Sequence, residues 1–154
     1  MTDWQRIVEH YANEAEAFAT TKANRWAVDP YAWQFAAGIT LSPIEDAIWF
    51  DIRAEGAVLY PQFPVGRFFV DFGNPAARVA IECDGKQWHL DTKRDAIRQR
   101  AIEAAGWTVY RITGSDCKKP DVYIDEDDDG KERVTLGPAR ALIREICAKH
   151  GIRV

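Results

Sequence analysis

The chain has 154 residues, of which 47% are hydrophobic and 29% charged, and its formal net charge is -4. This length fits one domain that buries a core without disulfides or a structural metal, and the composition excludes a wholly disordered chain. An acidic balance argues at first sight against a nucleic-acid partner. However, residues 120–132 hold seven of the 24 acids and only one of the 20 bases. The net charge therefore describes one short segment rather than the whole surface.

The sequence contains no pattern typical of a membrane or secreted protein. No apolar run approaches the ~20 residues that span a bilayer, and the first residues lack the charged and apolar regions of a signal peptide. The three cysteines are scattered and form no C-x-x-C pair, which is typical of reduced thiols and argues against zinc. We therefore expect a cytoplasmic protein without a membrane partner or a small-molecule organic cofactor.

The first part of the chain is predicted to be helical. Apolar residues between Trp4 and Phe18 recur at helical spacing, and Thr2 can cap this helix. Residues 1–41 are predicted to form an N-terminal helical extension. The extension could dock on the rest of the chain, contact a substrate or form a homodimer, and the sequence leaves these three alternatives open.

A second helix is predicted to begin at the sequence Ser42-Pro43-Ile44-Glu45. This sequence has the form of a capping box with Pro at the first helical position, and Gly56 can end the helix. Four strand-like runs follow, at residues 57–63, 67–72, 78–84 and 107–112.

A helix over about residues 91–105 separates the third and fourth strands, which favours a crossover between parallel strands. A last helix is predicted over residues 137–151. We therefore predict an α/β fold, or α+β under a stricter definition of the fold classes. It has a central mixed β-sheet flanked by helices, in a single domain over residues 1–154.

The acidic run lies between two further strand-like segments. Asp125, Asp127, Asp129 and Gly130 copy the first half of an EF-hand loop, but Leu136 stands where the bidentate Glu is expected. We predict a hairpin over residues 120–136 with a solvated acidic tip. A weak calcium site, and a tip that covers a basic groove, stay open as alternatives.

Carboxylates interrupt the second and third predicted strands. Because side chains alternate along a strand, Glu82 and Asp84 share one face of the third strand. Asp71 interrupts an apolar run in the second strand, where an unpaired charge is costly. If these strands form a hairpin, the three acids can converge and repel one another, and a divalent cation removes that repulsion. Oxygen ligands suit Mg²⁺ or Mn²⁺, which can activate water against a phosphodiester.

The order of these residues resembles the PD-(D/E)XK nuclease superfamily and, more narrowly, its very-short-patch-repair-like endonuclease branch. The resemblance covers residues 42–113, which we treat as the core motif region. Its motifs are Ser42-x-x-Glu45, Gln62, Val70-Asp71-Phe72, Ile81-Glu82-x-Asp84-Gly85, His89, Asp95-x-x-Arg98 and Gly106-Trp107-x-Val109-x-Arg111. The resemblance implies a restriction-endonuclease-like core and an endonuclease that hydrolyses DNA with a Mg²⁺-activated water as nucleophile.

The resemblance also implies a set of metal ligands. Asp71, Glu82 and the backbone carbonyl of Cys83 would bind Mg²⁺ or Mn²⁺, and Glu45 would complete or orient the metal shell. The role of Glu45 stays open, because an acid three residues after the cap is equally well explained by the capping box.

The implied catalytic residues are Asp71 and Glu82 with three further positions. Asp84 stands where the superfamily usually has Lys, so Lys86 and His89, just downstream, become candidates for activating water or donating a proton. The absence of the motif Lys supports an alternative function, a catalytically inactive nuclease-like module that binds nucleic acid or protein.

The helix after the motif is basic. Lys86, Lys93, Arg94 and Arg98 are predicted to bind the phosphate backbone of DNA. A solvated helix face is the alternative explanation for these charges. Asp95 and Arg98 are three residues apart and could instead pair with each other.

Overall fold

The computed structural model describes residues 2–32, 40–84 and 92–154. A four-stranded sheet has the strand order β1-β2-β3-β4, with antiparallel pairing except for the parallel pair β3–β4. Its strands are β1 (Tyr60–Val65), β2 (Phe68–Asn74), β3 (Val79–Asp84) and β4 (Thr108–Thr113). The mixed sheet with flanking helices confirms the predicted fold class.

The described residues form six helices and a second, two-stranded sheet. The helices are α1 (Asp3–Asn13), α2 (Ala15–Thr20), α3 (Pro43–Glu55), α4 (Thr92–Ala104), α5 (Gly114–Cys117) and α6 (Pro138–His150), and the small sheet pairs β5 (Val122–Glu126) with β6 (Glu132–Leu136). The predicted N-terminal helix is divided at Glu14, and the short helix α5 was not predicted. The first strand begins later than predicted, because Ala57 bridges to Arg153 near the C-terminus instead of joining the sheet.

The core lies on both faces of the large sheet. On one face Ile81 and Phe72 pack with helix residues such as Trp49, whose ring stacks 6.1 Å from that of Phe72. On the other face Val70 and Ala80 pack with Ile102 of α4. Helices cover both faces of the sheet because β2 and β3 are apolar along nearly their whole length. Of the acids in these strands, Glu82 is buried between the helical layers, and Asp71 and Asp84 are half-buried.

Helix α1 docks on the sheet. Its buried residues are Ile7 and Tyr11, and the Tyr11 hydroxyl donates a hydrogen bond to the Pro61 carbonyl of β1. Trp4 packs edge-on against Phe69 of β2, with ring centroids 4.3 Å apart. Of the three alternatives for the N-terminal extension, docking is the one that the structure shows, and a homodimer stays a prediction.

A hairpin forms around the acidic run, as predicted. Asp127 Oδ1 accepts hydrogen bonds from the backbone N–H groups of Asp129 (2.9 Å) and Lys131 (2.8 Å), so its carboxylate closes the turn of its own backbone. Arg133 forms a two-pronged pair with Asp125 at 3.1 and 2.8 Å. The strands on either side of the tip differ from the helices that flank an EF-hand loop.

Among the described residues, no helix is long and apolar enough to cross a membrane.

A buried acid joins α3 to α6. The Glu55 side chain is 1% exposed and accepts hydrogen bonds from Arg140 (2.6 and 2.8 Å) and Arg144 (3.0 Å). Burial alone would raise the pKa of Glu55, but the hydrogen bonds from Arg144 and Arg140 outweigh it and hold the pKa below its ordinary value. This ion cluster fixes the helix that carries Ser42 and Glu45 at its other end.

We predict that Glu55→Gln lowers the free energy of unfolding by about 3 kcal/mol, because the Arg140 guanidinium, 13% exposed, then keeps only its ion pair with the more exposed Asp121. Urea denaturation at neutral pH measures the change. The matched control is Asp125→Asn, which breaks the exposed Arg133 pair and should cost less than about 1 kcal/mol.

Glu55 also predicts a loss of stability in acid. Because its pKa is lower in the folded than in the unfolded chain, its contribution is complete above the ordinary value of 4.5 and is lost as the pH falls through the folded value. Between about pH 6 and about pH 3, the wild type should therefore lose more stability than Glu55→Gln. Identical acid profiles for the two proteins would contradict this role of Glu55.

Candidate active site

Two acids face each other where the hydrogen-bond ladder between β2 and β3 ends. Backbone pairing reaches Phe72 and Ile81, and the next pair in that register is Asp71 with Glu82. Here carboxylates accept the bonds: the Cys83 N–H donates to Asp71 Oδ2 at 2.7 Å, and the Asp71 N–H donates to Glu82 Oε2 at 3.3 Å. Each acid is thus bound to the opposite strand. The predicted convergence of Asp71 and Glu82 is what the structure shows.

The environment of Asp71 opposes its ionisation. Burial raises the pKa of Asp71 to about 8, with further contributions from the nearby carboxylates of Glu82 and Glu45, while the hydrogen bond from the Cys83 N–H acts in the opposite direction. Three acids close together in a desolvated place require a proton or a cation to offset their charge.

The third acid beside the pair is Glu45 rather than Asp84. Asp84 points to Arg111 of β4, whose Nη1 lies 3.0 Å from its Oδ1. Arg111 also donates to Gln99 of α4 at 2.8 Å and lies 3.9 Å from Asp95. The expectation that Asp84 converges with Asp71 and Glu82 is therefore corrected, because Asp84 forms an ion pair with Arg111 on the neighbouring strand β4.

Glu45 serves both of the purposes that the sequence left open. Its backbone N–H donates to Ser42 Oγ at 3.3 Å, so Ser42 caps α3 as predicted. Its carboxylate accepts from Ser42 Oγ at 2.7 Å and from the Gln62 side-chain amide. The carboxylate is therefore held between α3 and β1, near Asp71.

Arg98 contacts an acid of the site. From α4 its guanidinium donates to Glu82 Oε1 and to the Phe69 carbonyl of β2. The alternative that Arg98 pairs only with Asp95 is wrong, since Asp95 faces Arg111. In this structure Arg98 contacts Glu82, and the prediction that it binds phosphate stays a prediction. Sequence spacing could not reveal this contact, because it depends on how α4 lies across the sheet.

The other predicted site residues fall into three groups. Lys93 and Arg94 are exposed at the beginning of α4. Lys86 and His89 lie outside the described residues. Cys83 is partly buried, and the contact to metal predicted for its backbone carbonyl stays a prediction.

The oxygen atoms at this position fit a hard divalent cation. In residues 2–32, 40–84 and 92–154, no three His, Cys, Asp or Glu side chains are grouped so as to hold a metal ion. Mg²⁺, however, is commonly bound through only one or two protein carboxylates, with water and substrate phosphate completing its coordination. Asp71 and Glu82 supply two carboxylates, and the Cys83 carbonyl follows directly. Glu45 adds negative charge while its own oxygens are bonded to Ser42 and Gln62.

We predict that Arg98→Ala lowers the free energy of unfolding by about 3 kcal/mol, because Glu82, 7% exposed, is left as a buried acid without its counter-charge. Arg100→Ala is the matched control, since Arg100 is exposed on the same helix and should change stability by less than about 0.5 kcal/mol. Equal urea midpoints for the two variants would show that the Arg98–Glu82 pair does not stabilise the fold.

Comparison with known proteins places the chain among restriction-endonuclease-like proteins. The "Uncharacterized protein YcjD" of Escherichia coli (strain K12) is 40% identical over 63 residues, which are 40% of this chain and 54% of the relative, so the match spans about half of the relative's length. Among solved structures, the "Homing Endonuclease I-Bth0305I Catalytic Domain" has a TM-score of 0.44 at 18% identity, over 49% of this chain and 80% of that domain. The family model REase_MTES_1575 matches residues 44–125, just over half of the chain and the segment that holds Glu45, Asp71 and Glu82. The chain belongs to this restriction-endonuclease-like family.

Proposed function

We propose that the protein is a Mg²⁺- or Mn²⁺-dependent endonuclease that hydrolyses phosphodiester bonds in DNA. The observation that carries the proposal is the Asp71–Glu82 pair. At the end of the β2–β3 pairing, the half-buried Asp71 carboxylate and the buried Glu82 carboxylate accept backbone N–H groups of the opposite strand. Membership of a restriction-endonuclease-like family supports nuclease chemistry. The order of the motifs supports a place in the very-short-patch-repair-like branch.

The metal ion would be held by Asp71, Glu82 and the carbonyl of Cys83. When bound, such an ion supplies positive charge for the phosphodiester and lowers the pKa of a water nucleophile. Arg98 holds one oxygen of Glu82, and the Asp71 N–H holds the other. Glu45, held by Ser42 and Gln62, places a hydrogen-bond acceptor beside Asp71.

The surface beside the acid pair supports a polyanionic substrate. Helix α4, which contacts Glu82 through Arg98, exposes the cationic side chains of Lys93 and Arg94 in its first turn. A cation-bearing helix next to a metal site is suited to a phosphate backbone. Lys86 and His89 remain the candidates for proton transfer, together with Asp84.

A second candidate function is a nuclease-like module that binds nucleic acid or protein without cleaving it. The observation that favours it is the pair between Asp84 and Arg111 (3.0 Å). At the position where the superfamily usually has a Lys, this chain has an acid whose charge is neutralised. A binding module would retain affinity for DNA and show no turnover with any divalent ion.

We predict that Asp71→Asn and Glu82→Gln each reduce Mg²⁺- or Mn²⁺-dependent cleavage by at least about 100-fold, because each removes one charged ligand of the ion. The substrates are supercoiled, linear, single-stranded and mismatched DNA, each incubated with and without metal. Melting curves without metal verify that the variants fold. Asp46→Asn is the matched control, since Asp46 is an exposed acid next to Glu45 on α3.

Undiminished nicking by either folded variant would contradict the proposed site. A wild-type protein that binds these DNAs but cleaves none of them, with either metal, would favour the binding module.

A further inference from the structure

Gln62 has a backbone conformation that strands rarely contain. Its φ is +50°, in the left-handed region that is costly for residues other than Gly. It lies in the middle of β1, where Pro61 pairs with Phe72 and Phe63 pairs with Val70. Gln62 itself is opposite Asp71 in this register and forms no ladder pair with it. The sheet therefore opens around Asp71 on the β1 side as well as on the β3 side.

The side chain of Gln62 explains why this strain is retained. Its amide donates to Glu45 Oε2, while Ser42 Oγ lies 2.7 Å from Glu45 Oε1. Both oxygens of Glu45 are thus bound, one from its own helix and one from the sheet. A local break in a strand redirects a side chain, and strained residues of this kind concentrate at functional sites.

We infer that Gln62 is a positioning residue: it holds the Glu45 carboxylate beside Asp71 and thereby sets the affinity of the site for a divalent cation. The inference rests on the proposed function, because it concerns the same ion. Neither helix propensity nor strand periodicity singles out this residue. Its signal is the combination of a left-handed backbone, an interrupted ladder and a hydrogen bond to an acid on another element.

Arg78 provides a control for the strain itself. It is the other described non-Gly residue with a positive φ, of +52°, and it lies in the turn between β2 and β3. Its side chain donates to the Ala105 carbonyl at 3.3 Å, not to an acid of the site. Substituting Gly at Arg78 removes a similar backbone strain without changing any contact of Glu45.

The test measures Mn²⁺ affinity in Gln62→Gly, Gln62→Asn and Arg78→Gly. Gly adopts a positive φ without strain but has no side-chain amide. Asn tolerates this φ, but its side chain is one methylene shorter than that of Gln and does not reach Glu45. The loss of free Mn²⁺ signal in electron paramagnetic resonance gives the dissociation constant, and Mn²⁺-dependent melting provides a second readout. We expect both Gln62 variants to bind Mn²⁺ about 10- to 100-fold more weakly, and Arg78→Gly to bind as the wild type does.

The outcomes separate the inference from the proposed function. Wild-type Mn²⁺ affinity in a folded Gln62→Gly or Gln62→Asn protein would overturn the positioning role while leaving the proposed nuclease intact. Failure of both Gln62 variants to fold would assign Gln62 to structure alone and also overturn it. A wild-type protein that binds no Mn²⁺ would overturn the proposed function and this inference together.

Discussion

The site depends on one interruption of the central sheet. At Asp71, carboxylates instead of backbone carbonyls accept the hydrogen bonds between β2 and β3. On the other side, the pairing of β2 with β1 is interrupted between Asp71 and Gln62. Strands usually satisfy their N–H groups with the neighbouring backbone. Here two of those groups are used to fix acids, which places negative charge inside an otherwise apolar sheet. The cost of that charge is offset in part by Arg98 and, in our proposal, by a bound cation.

The two helical layers hold opposite sides of this interruption. From one face α3 brings Ser42 and Glu45 to β1, and the Glu55 cluster at the other end of α3 fixes that helix against α6. From the other face α4 brings Arg98 to Glu82. The site is thus assembled from elements that are distant in sequence, and its geometry follows from how both helices pack on the sheet. Stability and the proposed chemistry consequently depend on the same contacts.

Local patterns were enough to predict much of this arrangement. Apolar runs separated by short turns predicted β2 and β3, and a hairpin of these strands predicted that Asp71 and Glu82 converge. Capping chemistry predicted the beginning of α3 at Ser42. Contacts between distant elements could not be predicted in this way. The pairing of Asp84 with Arg111 requires the parallel register of β3 and β4, and that of Arg98 with Glu82 requires the position of α4 across the sheet.

The left-handed Gln62 shows a different limit of sequence reasoning. A positive φ is usually indicated by Gly or Asn, and Gln gives no such signal. The first strand likewise begins later than its apolar residues suggest, because the bridge from Ala57 to Arg153 is a contact with the other end of the chain. In both places tertiary contacts override the local preference, and at Gln62 the overriding contact is to a residue of the proposed site.

Whether the acids at the sheet interruption hold a divalent cation is measured most directly by anomalous X-ray diffraction from crystals of the protein soaked in Mn²⁺. We expect one strong anomalous peak next to the carboxylates of Asp71 and Glu82 and the carbonyl of Cys83. No peak at that position in a crystal where both carboxylates are accessible to solvent, or a peak only at the acidic hairpin tip around Asp127, would contradict it.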